Sequence, residues 1–372
     1  MKIAQVVTYI SPDGSFGGPV TVARAQCAAL AAMGHEVTLF AGSPVQQAQR
    51  RTVDGYTEHL FPARKLVPRL GFASMRAKGL ETHLRKHLTE FDIAHVHMAR
   101  DLVTLPSARA LSKSVPIVLQ PHGMIDRSNK LLAAALDSLA TRKTLERADT
   151  VFSLTDEEDA ELRVVAPGAT VVRIRNGIVV EDQPSYLDRD PEVLFLARLH
   201  PRKRALAFVQ MAGLLVDEFP DFRFSIVGPD EGDGSAVRAE ITEQGLSGAV
   251  TWEGSLSPDL VPSRLRSASV FVLPSFGEVF PMTMLEAFVA GTPTVCTNSL
   301  GIAKDCQRYG ASIVTDGSPS QLAGALRSIL NSAAVADGLR KGAARYLREE
   351  LDIANVAKLL ESTYSRALRR DS

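Results

Sequence analysis

Short apolar runs alternate with stretches of helical periodicity along the whole chain. Runs that are apolar without a polar alternation are typical of strands buried on both faces. Strands that alternate with helices predict an α/β architecture of parallel sheets wound with helices on both sides. The predicted strands are residues 2–8, 36–41, 93–97, 116–120, 150–154 and 171–174, then 192–196, 222–227, 250–252, 270–273, 294–296 and 312–314. Predicted helices include residues 19–33, 131–147, 204–218 and 282–290.

The strand series is too long for one sheet of about 4–6 strands, and it restarts after a polar segment. Residues 179–191 carry prolines and clustered acids, as linkers between domains often do. We therefore predict two Rossmann-like doubly wound domains, residues 1–182 and 183–350. Residues 351–372 include an amphipathic helix pattern over 353–370, and we expect that helix to return to the N-terminal domain.

Composition narrows the class of protein. At about 100–200 residues per domain, 372 residues fit two or three domains. The 42 basic and 42 acidic residues balance, which argues against a nucleic-acid partner. The three cysteines are too scattered for a disulfide framework, so a reducing, cytoplasmic location is expected. No apolar run reaches the 18 residues of a membrane span, and the first ten residues resemble a buried strand rather than a signal peptide.

One segment departs from this balance. Between Arg64 and Lys86 there are seven Lys or Arg residues and one acid, Glu81, interleaved with apolar residues. We call residues 64–86 the basic strip; its cations are Arg64, Lys65, Arg69, Arg76, Lys78, Arg85 and Lys86. Two interpretations stay open: a surface that docks on an anionic membrane or anionic lipid substrate, or a solvated loop and helix whose apolar residues pack inward.

The richest segment for chemistry is residues 273–295. A strand ends there in a loop with Ser275, Gly277 and Glu278, and Pro281 suits the first turn of a following helix that contains Glu286. The free N–H groups of a helix N-terminus attract phosphate, and doubly wound folds bind ligands at the carboxyl ends of their strands. Two carboxylates beside a phosphate site fit a ligand that also carries hydroxyls. The alternative is that Glu278 caps the helix and Glu286 is solvated.

The spacing Glu278-x7-Glu286 resembles the E-x7-E signature of retaining glycosyltransferases of family four, which have the GT-B fold. The resemblance covers essentially the whole chain. The other segments that carry it are Gly17-Gly18-Pro19, residues 30–37, 92–97, 120–124, 175–178 and 226–229, and Leu196-Ala-Arg-Leu199 with Lys203. It implies two Rossmann-like domains that face a central cleft, with the nucleotide-sugar donor mainly on the C-terminal domain and the acceptor mainly on the N-terminal domain.

The resemblance also implies roles for particular residues. The residues expected to take part in catalysis are Glu278, Arg198, Lys203 and His122. Those expected to bind the donor are Gly17, Gly18, Gly228, Leu256, Phe280, Pro281, Met282 and Glu286. The cations would neutralise the leaving diphosphate, and a front-face reaction would retain the anomeric configuration. Arg202, Arg204 and the acids after Gly228 are expected to be solvated.

No cofactor and no metal are expected, because the family generally works without a metal. His95 and His97 are also taken to face opposite sides of their strand, which argues against a shared metal site. The expected partners are a GDP- or UDP-linked sugar and a glycan or glycolipid acceptor in bacterial polysaccharide or glycolipid assembly. The membrane interpretation of the basic strip would place the enzyme peripherally on the inner membrane face. The alternatives are a GT-B nucleotide-sugar epimerase, an inert nucleotide-sugar-binding relative, and a two-lobed solute-binding protein, against which the start of the chain argues.

Overall fold

The computed structural model describes residues 1–11, 17–67, 73–111, 115–125, 140–181 and 189–370. The chain forms two compact units. Unit 1 is Met1–Val179 with Asp352–Ser372, and unit 2 is Val180–Leu351. Arg69, residues 131–139 of the predicted helix 131–147, and residues 182–188 of the predicted linker lie outside the described residues.

Unit 1 contains a mostly parallel sheet in the order β3-β4-β2-β1-β6-β7-β8-β9, with β5 paired to β4. Its strands are β1 (Lys2–Tyr9), β2 (Glu36–Ser43), β3 (Gln49–Val53), β4 (Tyr56–Lys65), β5 (Met75–Ala77), β6 (Ile93–Val96), β7 (Ile117–Leu119), β8 (Thr150–Ser153) and β9 (Val171–Arg173). Its α-helices are α1 (Gly17–Ala32), α2 (Leu80–Lys86), α3 (Thr104–Leu111), α4 (Arg142–Glu146), α5 (Asp156–Val165) and, after unit 2, α13 (Ile353–Arg370). The predicted apolar strands are confirmed.

Strands β3, β4 and β5 were not predicted, and β3 and β5 pair antiparallel with β4. The residues of β3 are exposed and mostly polar, so they give no buried-strand pattern. A signal was nevertheless present, because Asp54 and Gly55 join β3 to β4 with positive φ angles of 45° and 82°. An Asp-Gly pair between two strands is a strong hairpin signal, since this turn requires positive φ at both positions.

The C-terminal helix α13 packs against α1 in unit 1, as expected. Nε2 of His35, just after α1, lies 3.0 Å from Oε1 of Glu361 on α13. Tyr364 on the same helix is fully buried, and its Oη lies 2.7 Å from Nδ1 of His95 on β6. Unit 1 is therefore built from both ends of the chain.

Unit 2 has a fully parallel sheet in the order β12-β11-β10-β13-β14-β15. Its strands are β10 (Asp190–Leu196), β11 (Arg223–Val227), β12 (Val250–Gly254), β13 (Ala268–Leu273), β14 (Thr294–Thr297) and β15 (Ile313–Thr315). Its α-helices are α6 (Ala205–Gly213), α7 (Gly234–Glu243), α8 (Val261–Ser267), α9 (Met282–Val289), α10 (Ala303–Tyr309), α11 (Pro319–Leu330) and α12 (Ala333–Tyr346). Counted within the unit, the order is 3-2-1-4-5-6, that of a dinucleotide-binding Rossmann sheet.

Glu192 anchors the first strand of unit 2. Its buried carboxylate accepts hydrogen bonds from Ser225 Oγ on β11 (2.5 Å) and from Arg264 Nη2 on α8 (2.7 Å). Burial alone would raise the pKa of Glu192, but the hydrogen bonds from Arg264 and Ser225 hold this pKa below its ordinary value. Arg264 also pairs with Glu253 at 2.8 Å, and that carboxylate is 40% exposed.

This shared arginine gives a matched pair of variants. We expect Glu192→Ala to lower the free energy of unfolding by about 3–5 kcal/mol, because it leaves Arg264 partly buried without its main partner. Glu253→Ala should cost about 1 kcal/mol or less, because solvent screens an exposed pair. Urea unfolding followed by fluorescence of Trp252, the single tryptophan of the chain and part of unit 2, measures both. Equal losses in the two variants would contradict the ranking.

Candidate active site

The strand order of unit 2 places its candidate site between β10 and β13. These two strands are neighbours in the middle of the sheet, and they are the first and fourth strands of unit 2 in chain order. The strand order reverses between them. Such a switch point opens a crevice at the carboxyl ends of the strands. Arg198 and Lys203 follow β10, and Glu278 follows β13, so residues far apart in sequence meet at one edge of the sheet.

Lys203 and Glu278 form an ion pair. Lys203 Nζ lies 2.7 Å from Glu278 Oε2, and the two side chains are only 18% and 17% exposed. Glu278 Oε1 is buried and has no hydrogen-bond partner among the described residues. Ser275 Oγ, in the same loop, is also buried without a partner there. The carboxylate oxygen can accept a hydrogen bond from a ligand, and the hydroxyl can donate one or accept one.

The loop that carries Glu278 is held by the turn that carries Lys203. The backbone N–H of Phe276 donates to Arg202 O at 2.8 Å, and the Arg202 guanidinium donates to Gly277 O. Nη1 of Arg204 lies 3.5 Å from Pro274 O. Arg202 is exposed, as expected, whereas Arg204 is half-buried. Both also reach backbone carbonyls of the neighbouring loop, which the sequence did not indicate.

Helix α9 begins directly after this loop, at Met282, with Pro281 as its N-cap rather than in its first turn. Proline offers no capping side chain, and Glu278 does not cap the helix, because its carboxylate pairs with Lys203. Phe280 and Met282 are half-buried beside the free N–H groups of the first turn. Glu286 is also half-buried rather than solvated, and burial raises its pKa.

Arg198 is paired with an acid from the loop after β11. Its Nη1 lies 2.8 Å and 2.6 Å from the two carboxylate oxygens of Glu231. Asp230 in the same loop accepts hydrogen bonds from the N–H groups of Gly232 and Gly234, each at 2.9 Å. Asp230 and Glu231 are exposed, as expected for a solvated loop. In addition, Asp230 binds backbone N–H groups of its loop and Glu231 pairs with Arg198.

Gly228 brings the ends of β10 and β11 together. Its φ angle is 149°, and a Cβ atom there would lie 1.9 Å from Ala197 O, so no other residue fits. Trp252 Nε1 donates to Gly228 O at 2.9 Å. Leu256 lies two residues beyond β12 and is half-buried. Two predicted donor-binding residues thus follow neighbouring strands at the same edge of the sheet.

In unit 1, His122 lies in a tight turn after β7. Its φ angle is 55° and that of Gly123 is 71°, a left-handed conformation that is strained for a histidine. The Gly123 N–H donates to the buried carboxylate of Glu158 at 2.5 Å, and the Leu154 N–H donates to its other oxygen at 2.7 Å. Glu158 was missed in the sequence because acids at the start of a helix usually face solvent.

His95 and His97 share one face of their segment, contrary to expectation. Their rings stack with centroids 4.6 Å apart, because side chains two residues apart on a strand point the same way. The His97 and His122 rings meet edge to edge, with centroids 5.1 Å apart and 14° between the ring planes. Burial lowers the pKa values of His95 and His122 to about 3 and that of His97 well below its ordinary value, so all three are neutral at pH 7.

Within the described ranges, no group of three or more His, Cys, Asp or Glu is placed to hold a metal ion. An Asp-x-Asp triplet is a pattern that can hold a metal ion together with a nucleotide, and the sequence contains one, Asp188-Arg189-Asp190. Asp190 begins β10, so it lies at the amino edge of the sheet, opposite the edge that carries Arg198 and Glu278.

Gly17 and Gly18 were expected in a loop before the first helix, but α1 begins at Gly17. A Cβ atom at Gly18 would meet nothing within 4 Å, so the backbone at this helix start has open space beside it.

None of the described helices is both long enough and apolar enough to cross a membrane.

The two parallel-sheet units define an α/β fold of the GT-B class. Over 100% of both chains, the fold is similar to that of sucrose-phosphate synthase from Thermosynechococcus elongatus, with a TM-score of 0.77 and 20% identity. It is similar to Anabaena HepE in complex with UDP over 98% of this chain and 100% of that one, with a TM-score of 0.76 and 17% identity.

Sequence comparison gives the family. Residues 16–182 match Glycosyltransferase Family 4, and residues 181–346 match Glycosyl transferases group 1. The D-inositol 3-phosphate glycosyltransferase of Acidothermus cellulolyticus is 26% identical over 94% of this chain and 87% of that protein. The 2-deoxystreptamine N-acetyl-D-glucosaminyltransferase of Niallia circulans is 33% identical over 40% of this chain and 38% of its own length. The chain belongs to the family-four, group 1 glycosyltransferases.

Gly228, where the ends of β10 and β11 meet, offers a test of how closely the two strand ends approach each other. We expect Gly228→Ala to destabilise unit 2 by about 2–4 kcal/mol, because the new Cβ would collide with the Ala197 carbonyl. Gly248→Ala is the matched control, since a Cβ there meets nothing within 4 Å and should change stability by less than about 0.5 kcal/mol. Thermal unfolding followed by circular dichroism compares them. A Gly228→Ala protein as stable as the control would contradict the close approach described.

Proposed function

We propose that this glycosyltransferase is a retaining hexosyltransferase that moves a hexose from a nucleoside-diphosphate sugar bound on unit 2 to an acceptor hydroxyl. The state of Glu278 carries the proposal. One carboxylate oxygen pairs with Lys203, and the other is buried and lacks a partner among the described residues. A sugar hydroxyl that donates to Oε1 would satisfy it, and Ser275 Oγ offers a second polar atom in the same loop.

The diphosphate would bind between the loops after β10 and β13. Arg198 and Lys203 supply two positive charges, and the start of α9 supplies backbone N–H groups near Phe280, Pro281 and Met282. Each cation pairs with a carboxylate in the absence of ligand, so phosphate would exchange with Glu231 at Arg198. Two cations that neutralise the leaving group support a reaction without a metal.

The remaining contacts with the donor are assigned from where each residue lies in the fold. Glu286, half-buried in the second turn of α9, would accept hydrogen bonds from the ribose hydroxyls. Gly228 and Leu256 would border the base, since both follow strands at the ligand-binding edge. In unit 1, His122 would contact the donor sugar, and Gly17 and Gly18 would let a ligand approach the start of α1 closely.

A front-face reaction, in which the leaving phosphate takes the proton of the acceptor hydroxyl, accounts for retention without a covalent intermediate. No covalent nucleophile is assigned, because the proposal gives the unpaired Oε1 of Glu278 to a sugar hydroxyl. The likeness to HepE, which binds UDP and UDP-glucose, makes a UDP-hexose the first donor to test, with GDP-mannose as the other candidate. The acceptor would be a glycan or glycolipid in bacterial polysaccharide or glycolipid assembly.

Variants of Glu278 and Glu286 test whether the two side chains act on turnover or on nucleotide binding. We expect Glu286→Ala to weaken UDP or GDP binding, because its hydrogen bonds to ribose form in the ground state and the transition state alike. Glu278→Ala should instead lower kcat by roughly 10²–10³-fold while changing nucleotide affinity little, because it loosens the sugar at the reacting carbon. Steady-state transfer kinetics and nucleotide titration measure both effects. Wild-type behaviour in both variants would remove the assignment, and nucleotide release without a new glycosidic bond would favour an epimerase-like enzyme.

We also propose that the basic strip docks unit 1 on an anionic membrane. Arg64 on β4 and Arg76 on β5 are exposed and directly opposite each other in an antiparallel pair. Like charges in this position repel, and an anionic surface would relieve the repulsion. Met75 and Leu80 pack into the core, whereas the side chains of Leu66 and Val67 are 43% and 46% exposed. Part of the strip therefore packs inward, and its exposed apolar residues would be available to the membrane.

Vesicle sedimentation tests the docking. Each cation near an anionic bilayer contributes about 1 kcal/mol within a Debye length of about 8 Å. We expect the wild type to sediment with phosphatidylserine vesicles at low salt and not with phosphatidylcholine vesicles. Reversal of Arg64, Arg76 and Lys78 to Glu should abolish this without changing nucleotide binding, whereas reversal of the exposed Arg223, Lys341 and Lys358 should not. Equal losses in the two triple variants would point to net charge alone.

A further inference from the structure

Gln5 lies in the middle of β1, within an otherwise apolar run, and is fully buried. Its Oε1 lies 2.9 Å from His97 Nε2. An amide oxygen can only accept a hydrogen bond, so the His97 Nε2 atom carries the proton. Because His97 is neutral, its Nδ1 atom then has a free lone pair and can only accept.

His97 Nδ1 faces the next histidine. It lies 2.8 Å from His122 Nε2, and the two rings are nearly parallel, with 14° between their planes. The acceptor at His97 requires a donor at His122, so His122 Nε2 carries its proton. The lone pair of a neutral His122 is consequently on Nδ1, and this atom has no hydrogen-bond partner among the described residues.

The surroundings hold both rings in place. The His122 ring is half-buried, and the Glu158 carboxylate holds the turn through the Gly123 N–H. On the other side, His95 stacks against His97, and Tyr364 of α13 lies 2.7 Å from His95 Nδ1. The buried stack leaves His97 no room to turn its ring over without losing the bond to Gln5 or to His122.

We propose that Gln5 and His97 are positioning residues that fix His122 in the Nε2–H tautomer and so present its Nδ1 as a hydrogen-bond acceptor for a substrate hydroxyl. The tautomer follows from the geometry of unit 1 alone. Its use by substrate rests on the proposed transfer reaction. In this role His122 orients a hydroxyl by accepting its hydrogen bond, and it stays neutral throughout.

Nuclear magnetic resonance of ¹⁵N-histidine-labelled protein tests the tautomer directly. A protonated ring nitrogen and a bare one have well-separated ¹⁵N shifts, and His122→Gln identifies the His122 signals by their loss. We expect a bare Nδ1 and a protonated Nε2 for His122 at pH 7. A protonated Nδ1 in the wild-type protein would overturn the proposal, whether or not the protein transfers sugar.

Two variants of His97 separate the hydrogen bond from the packing. His97→Phe keeps a stacked ring but removes the acceptor, so His122 should show a mixture of tautomers and transfer should fall by about tenfold. His97→Asn places an oxygen near the former Nδ1 position, so it should keep the Nε2–H tautomer and restore most of the activity. Thermal unfolding checks that both proteins are folded. If His97→Phe does not fold, the wild-type and His97→Asn spectra still decide the tautomer.

The outcomes distinguish this proposal from the proposed function. If His122 of the wild type is fixed as the Nε2–H tautomer but His97→Phe transfers sugar with unchanged kinetics, the proposed role of His97 in the reaction is overturned. The bond between His97 and His122 would then be structural only. Loss of activity with both His97 variants, at an unchanged tautomer, would also count against it. If the wild type consumes no nucleotide sugar at all, the proposed function fails, and with it the substrate role of Nδ1, while the spectra still decide the tautomer.

Discussion

The ion pair between Lys203 and Glu278 joins two loops that follow different strands of unit 2. Parallel strands end at one edge of a sheet, and the reversal of strand order between β10 and β13 leaves a crevice there. A mostly buried ion pair adds little net stability, because the loss of hydration offsets the attraction of the charges. The ion pair matters for the arrangement of the site. One glutamate oxygen is held by a cation, and the other has no partner in the part of the chain that the structure describes, so a ligand can satisfy it.

The histidine cluster of unit 1 relies on a different constraint, the exclusion of charge. Burial keeps His95, His97 and His122 neutral, and neutral imidazoles must divide donor and acceptor roles between their nitrogens. The carboxylate beside this cluster, Glu158, meets backbone N–H groups at the His122 turn. The candidate site of unit 2 places opposite charges across a crevice, whereas the histidine cluster of unit 1 is joined by hydrogen bonds between neutral groups.

The fully buried parallel strands were predictable to within a residue or two, because burial on both faces leaves an uninterrupted apolar run. Strands β3, β4 and β5 were not. Strand β3 is polar and exposed, β5 has three residues, and β4 buries the polar Glu58 and His59 among its apolar residues, although Asp54-Gly55 marked the hairpin. Lys203 and Glu278 could each be singled out by motif, but their contact depends on strand order, which periodicity does not encode. The buried Gln5 was visible as one polar residue in an apolar strand, yet its partner His97 comes from a different strand segment.

Unit 1 is begun first during synthesis and completed last. Residues 1–179 leave the ribosome before unit 2, but α13, with Tyr364 in the core beside His95, is made only after unit 2 is finished. Unit 2 is continuous in sequence and can fold as soon as it emerges. Unit 1 stays incomplete until α13 is made and packs against α1. Ala357, Leu360 and Tyr364 of α13 are fully buried in the finished protein, so until this helix is made the core surface that they cover is exposed to misassociation.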